Sequence, residues 1–114
     1  MHRIDPNWEI SVADVKGMLD RREDFLLLDV RQPNEFAICR INGASLVPLG
    51  DLGARMEEVL SLADDRPVVI HCHHGGRSLS AAATLKKAGI DNARSMAGGI
   101  DAWSLLVDPS VPRY

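Results

Sequence analysis

The sequence predicts an α/β sandwich built on a mainly parallel sheet. Strand-like and helical segments alternate along the chain, the strand-like segments are short apolar runs, and glycine or capping residues separate the elements. Continuous apolar runs are typical of strands that are buried on both faces of a parallel sheet. In such a sheet, functional residues gather where the strands reach their carboxyl ends.

The first half of the predicted fold contains two helices and two strands. Ser11 is a helix cap followed by apolar residues at helical spacing, so a helix is expected over about residues 12–21. The run 25–30 is predicted to be a buried strand. Pro33 can open a short helix, and residues 44–47 form a second strand-like segment.

A third helix and the central strand come next. Four apolar residues keep to one helical face and predict a helix packed on the core: Leu52, Met56, Val59 and Leu60. The run 67–71 is the clearest candidate for a central strand.

The last part of the chain continues the alternation. Ser78 is predicted to cap an alanine-rich helix over residues 79–88, which is followed by a weaker strand at 93–96. The Gly98-Gly99 pair breaks the pattern before a further helical run, and the proline-containing segment 108–114 is expected to be extended.

Length and composition limit the functions to consider. A chain of 114 residues is expected to form a single domain, residues 1–114. The net charge of -3 argues against a nucleic acid partner, because such proteins usually present a basic surface. No apolar run is long enough to span a membrane and the N-terminus lacks a secretory signal, so a cytoplasmic location is predicted.

The segment after the predicted strand 67–71 carries the main candidate for chemistry. Cys72 directly follows the strand, and Gly75 and Gly76 free the backbone so that successive N–H groups can converge on its sulfur. The following helix adds the partial positive charge of its N-terminus, and Arg77 adds a full charge. Thiolate is therefore favoured over thiol, and Cys72 is predicted to be a reactive nucleophile.

Two other interpretations of this loop remain open. Cys72 could be a buried structural thiol at a strand end. It could also share a metal ion with the histidines of the loop, but adjacent residues seldom aim at one ion and His71 is expected to point inward, so no metal is predicted. His73 and His74 could tune the charge of the loop, contact a substrate or simply be solvated.

The residues Cys72, Gly75, Arg77 and Ser78 follow the spacing Cys-x-x-Gly-x-Arg-Ser, which resembles the active-site motif of rhodanese-homology domains. Further segments resemble that family in the same order: 28–31 with 35–36, 43–44 with Pro48, and 98–99 with 102–103. The resemblance spans residues 9–106. It implies a rhodanese-like three-layer sandwich with a five-stranded, mainly parallel sheet flanked by helices.

The resemblance also implies an activity, that of a thiosulfate sulfurtransferase. Cys72 would attack a sulfane sulfur donor, become a persulfide and pass the outer sulfur to a thiophilic acceptor. Because the persulfide is carried by the cysteine itself, no cofactor is expected. The loop residues implied to bind the substrate anion are His73, His74, Gly75, Gly76, Arg77 and Ser78.

Three residues outside the loop are candidate accessories. Arg40 stands where the family often has histidine, and it could dock an anionic donor or simply be solvated. Cys39 could form a disulfide with the nucleophile and protect it from over-oxidation, or it could fill buried space. Asp29 is expected to join Arg31 and Glu35 in an ion-pair network at a strand end, with a catalytic role as the alternative.

Residues 98–114 resemble the end of sulfurtransferase domains that are fused to ubiquitin-like-protein adenylyltransferases. This similarity implies small sulfur donors and acceptors as partners, together with a cysteine desulfurase or a sulfur-carrier protein.

Two different functions remain as alternatives. Cysteine phosphatases and arsenate reductases also place a cysteine before a basic loop and an Arg-Ser pair, but their loop is longer than the four residues between Cys72 and Arg77. The other alternative is a catalytically silent regulatory binding module. The presence of both Cys72 and Arg77 argues against it.

Overall fold

A computed structural model describes residues 3–114 of the protein. Within this range five strands form one sheet: β1 (Glu9–Ile10), β2 (Leu26–Asp29), β3 (Ser45–Leu46), β4 (Val68–His71) and β5 (Ala93–Met96). Their order across the sheet is β1-β5-β4-β2-β3, and every pair is parallel. The five-stranded parallel sheet expected from the sequence is confirmed, with β4 at its centre.

The connections between the strands are mostly helical. The helices are α1 (Val12–Asp20), α2 (Pro33–Ile38), α3 (Met56–Ala63), α4 (Gly76–Lys87) and α5 (Gly99–Leu106), with a 3₁₀ turn at Leu49–Asp51 before α3. Ser11 caps α1 as predicted, because its hydroxyl accepts the N–H of Asp14 at 3.0 Å.

The helices cover both faces of the sheet and enclose two cores. Leu28 and Ile70 belong to the core under α3 and α4, whereas Leu27 and Val69 belong to the core under α1 and α5. Successive side chains of a strand point to opposite faces, so β2 and β4 are apolar throughout because both of their faces are buried. The sheet is thus the middle layer of a three-layer sandwich.

Some local predictions are wrong. Strand β1 is only two residues long, too short to show periodicity, and the sequence did not predict it. Leu60 is 40% exposed and lies outside the core, because α3 turns that side toward solvent. The segment 108–114 is not simply extended: it contains a turn closed by a hydrogen bond from the Val111 N–H to the Asp108 carbonyl at 3.1 Å.

None of the helices in the described part of the chain has the length and apolar character that a membrane crossing requires.

Candidate active site

Cys72 follows β4 directly, at the carboxyl edge of the sheet, and only 1% of its surface is exposed. Its Sγ accepts the backbone N–H groups of Gly75 at 3.1 Å and Ser78 at 3.3 Å, and the Ser78 hydroxyl lies 3.4 Å away. Hydrogen-bond donors that converge on one atom stabilise negative charge there. The loop is therefore shaped to hold an anionic sulfur.

Glycine determines the shape of this loop. Gly75 has a φ of +118°, a conformation that side-chain-bearing residues rarely adopt, and it is the N-cap of α4. The helix consequently begins at Gly76, earlier than predicted, and the expectation that Ser78 caps it is wrong. Ser78 is the third helical residue, and its hydroxyl donates to the Gly75 carbonyl at 3.1 Å and contacts the Ser95 hydroxyl at 2.6 Å.

The N-terminus of α5 holds the loop from its other side. The N–H of Ile100 donates to the Cys72 carbonyl at 2.9 Å, and that of Asp101 donates to the His73 carbonyl at 3.1 Å. A Cβ on Gly99 would lie 2.4 Å from the His73 carbonyl oxygen, so only glycine permits this close approach. The glycine pair that marks a break in the sequence is thus also a contact surface for the loop.

The Arg77 guanidinium donates its hydrogen bonds to Glu35 and not to the Cys72 sulfur. It forms a bidentate salt bridge with Glu35 of α2, with N–O distances of 2.6 Å and 2.9 Å. This pairing holds the pKa of Arg77 above its ordinary value, so the side chain remains charged. The contacts nearest the sulfur are consequently backbone N–H groups, and Arg77 contributes its charge from a fixed position beside the loop.

Glu35 provides a test of this arrangement. Its hydrogen bonds with Arg77 hold the pKa of the carboxyl well below the ordinary value of 4.5. A group with a lowered folded-state pKa stabilises the protein fully above its unfolded-state pKa, and the contribution is lost as the pH falls. We expect Glu35→Gln to cost about 2 kcal/mol at neutral pH and to flatten the decline of stability with acid. Urea unfolding from neutral to acidic pH measures both effects.

Glu58 is a matched control for this experiment, because it pairs with Arg55 at 2.7 Å on the open surface. Glu58→Gln should change stability little at any pH, since exposed pairs contribute little. A Glu35→Gln protein that loses stability in acid as steeply as the unmodified chain would contradict the proposed role of Glu35.

Tyr114 is a site residue that the sequence did not indicate. Its ring stacks on His73, with ring centres 3.9 Å apart and planes 7° apart. Its hydroxyl accepts a hydrogen bond from Arg31 at 3.0 Å and donates one to Glu35 at 2.7 Å. Burial is the main cause that raises the pKa of Tyr114 to about 12, so the phenol stays protonated. Only the aromatic character of the residue could have signalled it.

The two loop histidines differ in environment. The ring of His73 lies between those of His74 and Tyr114, and burial lowers its pKa. The side chain of His74 is 68% exposed and lies 3.8 Å from Asp101. His73, His74 and Asp101 place potential ligand atoms within 4.8 Å of one another, but Asp101 is already paired with Arg113 at 2.9 Å.

The predicted ion-pair network at the end of β2 is present in part: Asp29 and Arg31 form a fully buried pair, whereas the Glu35 carboxylate pairs with Arg77. Arg31 donates to the Asp29 carboxylate at 2.7 Å and to the Cys39 carbonyl at 2.7 Å. Cys39 is buried, its sulfur lies 3.8 Å from the Arg31 guanidinium, and both cysteines are free thiols. Glu35 connects to this network through Tyr114, which contacts both Arg31 and Glu35.

His71 is buried in the fold, whereas Arg40 lies on the surface. His71 points into the fold as predicted, with no exposed surface, and its Nε2 lies 3.7 Å from Asp29; burial lowers its pKa. It is therefore not among the residues that could share an ion with His73. Arg40 is exposed, and its guanidinium lies 4.7 Å from the centre of the Phe36 ring.

Comparison with known proteins identifies the family. A family model described as the rhodanese-like domain matches residues 11–106. The chain belongs to the rhodanese-like family. Rhodanese-like folds are also found among solved structures: a rhodanese-related protein from Thermoplasma volcanium is 27% identical, with a TM-score of 0.78 over 94% of this chain and 99% of that one.

Relatives of this rhodanese-like chain include proteins named as sulfurtransferases. The thiosulfate sulfurtransferase GlpE of Pseudoalteromonas translucida is 33% identical over 91% of this chain and 95% of its own length. The probable adenylyltransferase/sulfurtransferase MoeZ of Mycobacterium tuberculosis is 36% identical over 92% of this chain, which spans only 26% of that protein. These relatives support membership of a sulfurtransferase family.

Proposed function

We propose that this rhodanese-like chain moves a sulfane sulfur from a donor to a thiophilic acceptor through a persulfide on Cys72. The convergence of the Gly75 and Ser78 N–H groups on Sγ is the observation that best supports the proposal, because it stabilises the attacking thiolate and the persulfide anion alike. The cysteine carries the sulfur covalently, so the reaction needs no cofactor.

The proposed reaction has two balanced steps. With thiosulfate as donor, the Cys72 thiolate attacks the outer sulfur, the S–S bond of the donor breaks, and sulfite leaves with the electron pair. A nucleophile such as cyanide then attacks the outer sulfur of the persulfide, and the Cys72 thiolate leaves. The first step exchanges one S–S bond for another, the second breaks the persulfide S–S bond as the acceptor binds the sulfur, and the cysteine returns to its starting thiolate.

The names of the relatives support sulfur transfer and one particular donor. GlpE is named a thiosulfate sulfurtransferase, which favours thiosulfate, and MoeZ is named an adenylyltransferase/sulfurtransferase, which supports sulfur transfer without naming a donor. We propose small sulfur compounds as the minimal substrates of this chain, with a cysteine desulfurase or a sulfur-carrier protein as macromolecular partners. The specificity constants for thiosulfate, mercaptopyruvate and a desulfurase persulfide would rank these donors.

The proposal is tested by mass spectrometry after incubation with thiosulfate. The chain should gain about 32 Da, one sulfur atom, and lose it on treatment with cyanide. Cys72→Ser should abolish the adduct and all thiocyanate formation. Cys39→Ser is the matched control and should keep both, because Cys39 is held against Arg31 rather than in the loop.

Two outcomes would contradict this assignment. Hydrolysis of aryl phosphates without persulfide formation would favour a cysteine phosphatase, although only four residues separate Cys72 from Arg77 and the loop is short for a tetrahedral oxyanion. The absence of an adduct with every donor tested would favour a silent binding module.

A further inference from the structure

The segment from Asp108 to Tyr114 returns from the end of α5 to the Cys72 loop. Val111 is buried, and its carbonyl accepts the Ser104 hydroxyl at 2.6 Å. Arg113 then pairs with Asp101 at 2.9 Å. These contacts fix the backbone on both sides of Pro112 and deliver Tyr114 to the site.

Tyr114 contacts both His73, which follows Cys72 in the loop, and Glu35, which pairs with Arg77. Its ring covers one face of His73, the residue that follows Cys72. Its hydroxyl donates to Oε2 of Glu35, the same oxygen that accepts from Arg77 at 2.9 Å. One side chain therefore connects the loop with the ion pair that fixes Arg77.

We propose that Tyr114 is a positioning residue of the sulfur-transfer site, holding the loop through His73 and the Arg77 guanidinium through Glu35. The inference rests on the proposed function, because it assigns Tyr114 a role in binding the anionic donor. The residue lies beyond residues 11–106, which the rhodanese-like family model matches, and its partners His73 and Glu35 are far away along the chain.

The hydrogen bonds of the hydroxyl distinguish tyrosine from phenylalanine at this position. The oxygen accepts a hydrogen bond from Arg31 and the hydroxyl proton is donated to Glu35, so the hydroxyl acts as both acceptor and donor. Oε1 of Glu35 accepts from Arg77 at 2.6 Å and from the Gln32 N–H at 3.0 Å. Without the phenol, Oε2 would be left with Arg77 alone, and the carboxylate and the guanidinium would be freer to move together.

Two substitutions separate the contributions of ring and hydroxyl. Tyr114→Phe keeps the stack on His73 and removes both hydrogen bonds, so the KM for thiosulfate should rise about five- to tenfold while kcat changes less than about twofold. Tyr114→Ala also frees the loop, so kcat should fall as well. A purely structural role predicts the reverse pattern: a lower melting temperature with unchanged constants for the folded protein, which would overturn the proposal.

A second experiment is independent of sulfur transfer. In a Cys39→Ser background, Cys72 is the only thiol, and its alkylation by anionic iodoacetate is compared with that by neutral iodoacetamide. The ratio of the two rates cancels changes in exposure and in thiolate fraction, and it reports the attraction of an anion to the loop. Tyr114→Phe should lower the ratio about threefold, and an unchanged ratio would overturn the proposal even if KM rises.

The contact itself can be observed because Tyr114 is the only tyrosine in the chain. Tyrosinate absorbance should show a pKa of about 12, and Glu35→Gln should lower it, since the Glu35 carboxylate favours the protonated phenol. An ordinary value near 10 would show that Tyr114 is undocked and would overturn the inference. If the chain forms no persulfide, the proposed function fails, but the alkylation ratio and this titration still decide the role of Tyr114.

Discussion

Replacing Gly99 with alanine is expected to lower the free energy of unfolding by about 3–5 kcal/mol and to disrupt the Cys72 loop. The added Cβ would lie 2.4 Å from the His73 carbonyl oxygen and 2.6 Å from that of Cys72. Both obstacles are backbone atoms, so neither can rotate away as a side chain would. The φ of +62° adds strain for any residue with a Cβ.

The damage should reach the sulfur because the same carbonyls accept the first N–H groups of α5. Ile100 and Asp101 donate to Cys72 and His73, and these hydrogen bonds must lengthen if the helix moves away. The yield of persulfide per folded protein should therefore fall together with stability. Urea unfolding and the mass of the thiosulfate-treated protein measure the two effects.

Two other glycines are suitable controls. Gly43 has a φ of +89° with no atom within 4 Å of the position that an added Cβ would take, so Gly43→Ala should cost only about 1 kcal/mol of strain. Gly53 has neither a positive φ nor a neighbour within 4 Å, and Gly53→Ala should be close to neutral. A Gly99→Ala protein as stable as the Gly43→Ala protein would refute the close contact between α5 and the loop.

Local sequence patterns predicted the elements that carry Cys72. The apolar run before Cys72 is continuous because both faces of β4 are buried, and Gly75 is required where the backbone turns with positive φ. These features depend on neighbouring residues, so they can be recognised without the fold. The turn that directs two backbone N–H groups at the Cys72 sulfur is in this sense encoded locally.

The contacts that hold the loop could not be predicted in this way. Glu35 is 42 positions from Arg77 and 79 positions from Tyr114, and only the strand order brings these residues together. A pattern of spacing contains no information on such pairs. For the same reason the charge of Arg77 could be predicted from the sequence, but its pairing with the Glu35 carboxylate of α2 could not.

Replacing Arg31 with methionine is expected to destabilise the protein by about 3–5 kcal/mol, the cost typical of breaking a buried ion pair on one side. Arg31 and Asp29 are both fully buried, and their nearest N–O distance is 2.7 Å. Burial disfavours the charge of Arg31, but its hydrogen bonds with Asp29 and Tyr114 outweigh this effect and hold its pKa above the ordinary value. Its removal leaves the Asp29 carboxylate without a cation.

A second substitution tests whether the uncompensated charge of Asp29 causes this loss of stability. Asp29→Asn in the Arg31→Met background removes the uncompensated charge, so the double variant should be more stable than Arg31→Met alone by about 1–2 kcal/mol. His71 provides a further check, since it lies 3.7 Å from Asp29 and Arg31 contributes to lowering its pKa. In Arg31→Met, His71 should protonate more readily and partly replace the missing cation, so the destabilisation of this variant should become smaller as the pH falls. If the double variant is destabilised by the sum of the losses of Arg31→Met and Asp29→Asn alone, the buried charge is not the cause.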